Sequence, residues 1–466
     1  MRLAEAPPAI SPAPEVTLVN AFTQPFNNAV ATARTCYSPR VVTPADVDRD
    51  EKSRLQRDAI ARSTYEAGHH TTLQHATFQF VLEKVSRQFL WSFLHSHPFY
   101  NSEQVSQRYV AVKPDQVVVP PLPEAQREVY AGAVRMLMEA YERLVEILAP
   151  TVSAEYGKLF RNRKPGQQKR WGQILRRKAQ EAARYVLPVA THAHLYHTVN
   201  GITLHRYHRL CEQFDMPLET RQVVGGMVAE VTRFDPLFFR TIEDPIPLEE
   251  TLEFRMLDAL RPGPAATREF LDEFDRDLDG RVSKLVDWKA NAEATLAQGV
   301  RSVLGLPASA LSDDDAIDWV LNPARNAYLS ESLTLTTMGK ATRALSHPHF
   351  SFRKKLSHTA DSQDQRHRMV PGSRPVLARH FLPDWPDYVV PAPIAACPEA
   401  LEDYRRVMED LWGRMRRLLE MGASEEAVLY LLPNAFPIRF EESGDLLNLH
   451  HKWVHRLCYT AQEEIW

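Results

Sequence analysis

Residues 183–211 read ARYVLPVATHAHLYHTVNGITLHRYHRLC, and residues 427–458 read AVLYLLPNAFPIRFEESGDLLNLHHKWVHRLC. Each holds a Leu-Pro step, an alternating stretch and then a helical stretch, and each closes on His-Arg-Leu-Cys; the second copy is two residues longer between these landmarks. Alternation of period two that gives way to a period near 3.6 reads as a strand running into a helix. Met twice in one chain in the same setting, it predicts an internal duplication, and the duplication decides the fold.

Working outward, four more pairs follow in the same order. EVTLVNAF from Glu15 pairs with LEFRMLDAL from Leu252, and HATFQFVLEKVSR from His75 with ESLTLTTMGKATR from Glu331. HSHPFYNSEQVSQRY from His95 lies without a gap on RKKLSHTADSQDQRH from Arg353. PEAQREVYAGAVRMLMEAYERLVEIL and PEALEDYRRVMEDLWGRMRRLLEMG both read as amphipathic helices with Pro in the first turn. The join falls in the acidic, Pro-containing TIEDPIPLEE. The expected fold is α+β. It has two related domains, 1–244 and 250–466, each a mixed, mostly antiparallel sheet packed with long helices. Residues 150–175 are an insertion in the first half. Its RNRKPGQQKRWGQILRRK run reads as a solvated face, with a phosphate- or nucleic-acid-contacting arm as the alternative.

The chain has 466 residues with 44% hydrophobic and 25% charged, ordinary for a globular protein, and a formal net charge of −3. No basic excess points to nucleic-acid coating, so nucleic acid is not an expected partner. Pro is frequent (33) and Gly scarce (17), which suits helices with Pro-marked joints. The four cysteines form no Cys-x-x-Cys pair, the N-terminal stretch lacks the pattern of a secretory signal, and no apolar run is long enough to span a membrane. A cytoplasmic protein with reduced thiols is expected. DRDLDGRVSKLV, from Asp275, follows a calcium-loop pattern through Gly280 but has Val286 where the closing Glu belongs. His205 and His208 have helical spacing without a completing ligand nearby, so a structural role is favoured.

The stretch from His95 to Val110 gathers two histidines, several short polar groups and a closing Ser106-Gln107-Arg108-Tyr109. Together with His75, Ser86-Arg87, Arg184 before Leu187-Pro188, and Thr198-Val199-Asn200, it resembles the flavin-dependent thymidylate synthases. That family carries Arg-His-Arg-x-x-Ser, a polar pair and Ser-x-Arg-Tyr. The second half resembles the family at its end, where Arg456 precedes Ala461-Gln462-Glu463-Glu464-Ile465. In place of Arg-His-Arg, the first half has His95-Ser96-His97 and the ungapped match gives Arg353-Lys354-Lys355 in the second. Cys211 stands where the first half would carry the counterpart of Arg456.

The resemblance implies methylation of dUMP to dTMP, with FAD as cofactor and NADPH and methylenetetrahydrofolate as cosubstrates. It implies Ser106 and Arg456 as catalytic residues and Gln104, Ser106, Arg108, Arg184, Arg209 and Arg456 as substrate-binding residues. His75, His95, His97, Asn200 and Arg206 are implied to hold the cofactor, with no metal. The chemistry suits these types: arginines clamp phosphate bidentately, and a cation beside the uracil stabilises charge developing on the ring. The family's four subunits share sites, so a duplicated chain is expected to form a homodimer that imitates the tetramer, with the halves contributing complementary residues. Two alternatives stand beside this reading. One is a catalytically silent homologue that binds a nucleotide or a protein partner. The other is an RNA-modifying enzyme that uses the basic insertion.

Overall fold

The computed structural model describes residues 9–159, 168–212, 215, 217–240, 242–331, 333–458 and 461–466, so the middle of the basic insertion lies outside the described residues. The chain forms two compact units. The first comprises residues 1–262, 383–386 and 396–433; the second comprises 263–382, 387–395 and 434–466. The fold is mixed α+β, with one four-stranded antiparallel sheet in each unit.

In the first unit the strands are β1 (Glu15–Ala21), β2 (Thr77–Ser86), β3 (Asn101–Gln104) and β4 (His192–Asn200), in the order β1-β2-β4-β3. Alternation along β2 sends Phe78, Phe80 and Leu82 to a fully buried face. The helix Pro217–Phe234 covers that face with Val223, Met227 and Val231. Near its end β2 bulges: the pairing with β4 slips between Leu82 and Val85, and Lys84 takes a left-handed φ of 57°.

The second unit repeats the plan with β5 (Ser283–Trp288), β6 (His349–Ser357), β7 (Gly372–Ser373) and β8 (Pro437–Asp445), in the order β5-β6-β8-β7. Its central pair runs in continuous register with no bulge, so β6 is one residue shorter than β2. Each central strand ends in a serine that caps a helix. Ser86 Oγ accepts from Phe89 N (2.8 Å) at α1 (Arg87–His95). Ser357 Oγ accepts from Ala360 N (3.2 Å) in the same role at the helix His358–Asp364. The fourth strand of each sheet also ends in a cap. Asn200 Oδ1 accepts from Thr203 N (3.0 Å) at α2 (Gly201–Arg209), and Asp445 Oδ1 accepts from Asn448 N (2.9 Å) at Leu446–Arg456. The helices His358–Asp364 and Leu446–Arg456 are α3 and α4 below.

These caps correct four of the sequence matches. LEFRMLDAL is a helix (Leu252–Leu260), capped by Thr251; the counterpart of β1 is SKLVDW. The counterpart of β2 is HFSFRKKLS, whereas ESLTLTTMGKATR holds only short 3-10 turns among its described residues. Arg353-Lys354-Lys355 therefore lies inside β6 and not at the end of a helix. His-Arg-Leu-Cys is also out of register. Asn200 and Asp445 stand equally far after their Leu-Pro steps, so the extra two residues fall within α4.

Within the first unit the helix Glu124–Leu159 packs antiparallel to Pro398–Glu420, its sequence counterpart. Gln126 Nε2 donates to Met421 O (2.8 Å), and Arg143 meets Asp403 (3.4 Å) further along. Pro188 forms a bridge with Pro433, the same residue of the other repeat. A residue meeting its own counterpart marks a local two-fold relation between these segments.

Gly201, first in α2, has no room for a side chain: a Cβ there falls 2.4 Å from the Phe238 ring and 2.8 Å from Leu73 O. Gly201→Ala is expected to cost about 1–3 kcal/mol, read from chemical denaturation. The backbone carbonyl is unable to yield as a flexible side chain would.

Candidate functional site

In the first unit the polar stretch follows α1. Arg87 anchors it by donating to Val105 O (2.6 Å) and to Gln104 Oε1 (3.3 Å). Gln107 Nε2 donates to Thr191 Oγ1 (2.7 Å). Ser106 Oγ accepts from the backbone N of Arg108 (3.3 Å), and the Arg108 guanidinium is ion-paired with Glu181. Arg184 is buried, on the 3-10 turn Arg184–Val186, with its charge felt at the Tyr141 hydroxyl. His95 is turned back on its own helix, its Nδ1 2.7 Å from Trp91 O. His97 meets Arg206 of α2, Nε2 to Nη1 3.0 Å. A guanidinium only donates, so this imidazole is held neutral; burial and then the Arg206 charge lower its pKa. Asn200 is a helix cap, His75 is exposed at the end of a 3-10 turn, and Arg209 pairs with Glu243 (3.1 Å). His205 packs against Phe238 and Phe239, and burial lowers its pKa to about 4. Of the residues singled out in this half, His97 and Arg206 are brought together directly, as are Ser106 and Arg108.

The second unit holds what the ungapped match concealed. Counted from the capping serines Ser86 and Ser357, His95-Ser96-His97 corresponds to Arg366-His367-Arg368, an intact Arg-His-Arg just after α3. Arg456, at the end of α4, reaches this turn: its Nε donates to His367 Nε2 (2.8 Å) and its Nη2 to Gln363 O (2.7 Å). His367 is pushed down to about 3 by burial and by the Arg456 and Lys452 charges, with Asp364 opposing. The tripeptide was visible in the sequence, and counting from the serine that ends each central strand would have found it.

The trailing glutamate has a structural explanation in both units. Glu464 accepts from Ser357 N and Oγ (both 2.5 Å). Glu219, which follows Cys211 as Glu464 follows Arg456, accepts from Ser86 N (2.7 Å), Ser86 Oγ (2.6 Å) and Tyr430 OH (2.8 Å). Each carboxylate clamps the turn from central strand into helix, and so fixes where the polar stretch begins.

Beneath Arg366-His367-Arg368 lies a buried ionic network. Lys452 donates to Asp364 (2.7 Å) and Glu442, and Lys354 meets Glu442 (2.6 Å). Arg374 donates to Asp361 (2.8 Å) and lies over the Phe440 ring, 4.0 Å from its centroid. Three cations face three carboxylates. Burial acts to raise Asp364, but Lys354 and Lys452 outweigh it and hold the carboxyl well below its usual range. By the same register the first unit has Leu82, Leu90, Phe93, His197 and Tyr207 in place of Lys354, Asp361, Asp364, Glu442 and Lys452. There the rings of Phe93, His197 and Tyr207 pack at 4.5–5.8 Å. Asp275 and Asp277 of the calcium-like stretch are ion-paired with Arg439 and Lys284.

One family match divides as this two-part plan does. The family described as thymidylate synthase complementing protein matches residues 17–237 and 284–466. A flavin-dependent thymidylate synthase of Clostridium tetani (strain Massachusetts / E88) is 28% identical over 231 residues, 48% of this chain and 85% of that protein. One from Mycobacterium sp. (strain JLS) is 29% identical over 187 residues, 39% of this chain and 68% of that protein. Among solved structures, the UMP/dUMP methylase PolB from Streptomyces cacaoi bound with 5-Br dUMP is 18% identical, covers 48% of this chain and 92% of its own, and superposes with a TM-score of 0.34. The flavin dependent thymidylate synthase ThyX from Helicobacter pylori, complexed with FAD and dUMP, is 17% identical, covers 49% and 99%, and has a TM-score of 0.32. With two matched segments that together span most of its length, the chain belongs to the thymidylate synthase complementing protein family.

Proposed function

We propose that the protein methylates a uracil nucleotide, dUMP to dTMP, with FAD as cofactor and methylenetetrahydrofolate and NADPH as cosubstrates. The observation that carries this is the intact Arg366-His367-Arg368 turn with Arg456 held against it, in a chain whose family match spans both repeats. The residues suit a flavin dinucleotide. Arg366 and Arg368 flank His367 in one turn, and arginine is the residue type that clamps a pyrophosphate bidentately. When bound, reduced flavin supplies the hydride. Arg456 binds the uracil ring edge and stabilises the negative charge that builds there as C5 becomes nucleophilic. Ser106, Arg108 and Arg184 serve the nucleotide phosphate, with Gln104 beside them; His75, His95, His97, Asn200 and Arg206 line the first unit's cofactor side. The two repeats of the sequence, 1–244 and 250–466, act as a homodimeric, cytoplasmic protein. Among the described residues no helix is long and apolar enough to cross a membrane.

A second reading is favoured by the Arg108–Glu181 and Arg209–Glu243 pairs: the first unit is a silent copy whose cations are already answered, and it binds a nucleotide without turning it over. The visible spectrum of the purified protein, followed by dUMP-dependent release of tritium from C5, tests both. Flavin absorbance retained after desalting, with tritium release abolished by Arg366→Ala, is the expected result. A colourless protein that takes up no FAD and releases no tritium overturns the catalytic reading and leaves the silent one.

A further inference from the structure

The proposed reading gives Arg456 its role, and what fixes that side chain deepens it. An arginine at the end of a helix carries several rotatable bonds, and an unheld guanidinium sweeps a wide volume. Arg456 is the C-terminal residue of α4, and among the described residues two hydrogen bonds hold its guanidinium. Its Nε donates to His367 Nε2 at 2.8 Å, and its Nη2 donates to the carbonyl of Gln363 at 2.7 Å. The second grip is backbone and comes with α3. The first depends wholly on the side chain of His367. We infer that His367 is a positioning residue, which aims Arg456 at the uracil ring by accepting its Nε proton.

The geometry dictates the state of the ring. A guanidinium has no lone pair to offer, so Nε2 must accept and the ring proton must sit on Nδ1. Around the imidazole stand Arg456, Lys452, His451 and His455 from α4, and Asp364 from α3. The rings of His451 and His455 lie 4.6 Å apart and 6.0 and 6.3 Å from His367. Burial and the cations of α4 oppose a second proton on His367, and the one carboxylate that favours it, Asp364 on α3, is already bound to Lys452. The middle residue of Arg-His-Arg thus acts through its lone pair and not through charge, and His367 itself need not touch the substrate.

The test uses the full chain and dUMP, with two readouts. Nitrogen-15 NMR of the histidines reports which nitrogen of His367 carries the proton, independently of any ligand. The expected signal is an unprotonated Nε2 at neutral pH that persists to about pH 4. Calorimetric dUMP binding then compares His367→Leu, His367→Gln, Arg456→Ala and the double variant His367→Leu/Arg456→Ala. A lost charged hydrogen bond corresponds to roughly a tenfold to hundredfold change in affinity. His367→Leu is expected to weaken dUMP by that factor and His367→Gln, which retains an acceptor, by much less. The double variant should be no weaker than Arg456→Ala alone. Full affinity in His367→Leu beside a weakened Arg456→Ala overturns the positioning role and leaves the function intact. A protonated Nε2 overturns it directly. If the native chain shows the expected tautomer and binds no dUMP, the hydrogen bond stands, but the functional reading falls and the aiming role with it.

Discussion

Lys452→Met is expected to destabilise the second unit by about 3–5 kcal/mol, because it removes one of the two lysines shared by Asp364 and Glu442 and leaves three buried carboxylates to Lys354 and Arg374. Asp364 and Glu442 are at most 2% exposed and Lys452 is 4% exposed, so water has little access to replace the lost partner. Urea denaturation at pH 7 reads the loss, and a variant within 1 kcal/mol of the native chain would contradict it. The pH dependence has a definite sign. The folded pKa of Asp364 is depressed, so its stabilisation is present above the ordinary carboxylate value and is lost as pH falls toward the depressed one. Acid should therefore unfold this unit below about pH 4. Exchanging all six charged groups of the network, Arg374 included, for uncharged residues of similar size is expected to be far milder than the single change. A balanced set of charges replaced together leaves no orphan.

Glu219→Leu carries the second large effect. It removes the acceptor for the Ser86 amide, the Ser86 hydroxyl and the Tyr430 hydroxyl, all within a fully buried site. A loss of about 3 kcal/mol or more is expected, since each stranded donor costs about 1–3 kcal/mol. Glu219→Gln keeps an acceptor and should cost less. Burial pushes Glu219 up to about 7, ahead of the opposing Ser86 and Tyr430 hydrogen bonds, and pushes nearby Glu426 up to about 7 as well. A raised carboxyl lets the unfolded chain ionise first. Native stability should thus decline as pH rises from about 4.5 to 7 and then level off. Glu219→Gln should flatten part of that decline in a series of thermal melts, and an unchanged slope would show that another group is responsible.

The duplication was legible in the sequence because Leu-Pro, the alternating strand and the helix behind it recur as local patterns. What those patterns miss is register. Lys84 adds one residue to β2 through a left-handed bulge, and no side-chain pattern announces which of two matched strands carries it. LEFRMLDAL pairs with the strand EVTLVNAF because its apolar residues also fit a period of two; Leu252, Met256 and Leu260 fit a helix equally well, and the Thr251 cap decides. The match of HATFQFVLEKVSR to ESLTLTTMGKATR, in place of HFSFRKKLS, carried Arg-His-Arg onto Arg353-Lys354-Lys355 and hid Arg366-His367-Arg368. In the first half the candidate residues were found but not their partners. Glu181 beside Arg108 and Glu243 beside Arg209 are distant in sequence, and only the fold brings them in. The exchange of a ring cluster for an ionic network was invisible for the same reason.

Pro188 meeting Pro433 across the local two-fold has a further consequence. In a true dimer of identical chains every substitution is made twice, and a residue near the axis must be compatible with its own image. Here the images are encoded separately. Arg143 corresponds to Leu418 and Asp403 to Glu128, so the ion pair between Arg143 and Asp403 has no reflected twin. Joining two copies into one gene product released each pair of equivalent positions to drift apart, and it made possible a lopsided contact that self-association forbids.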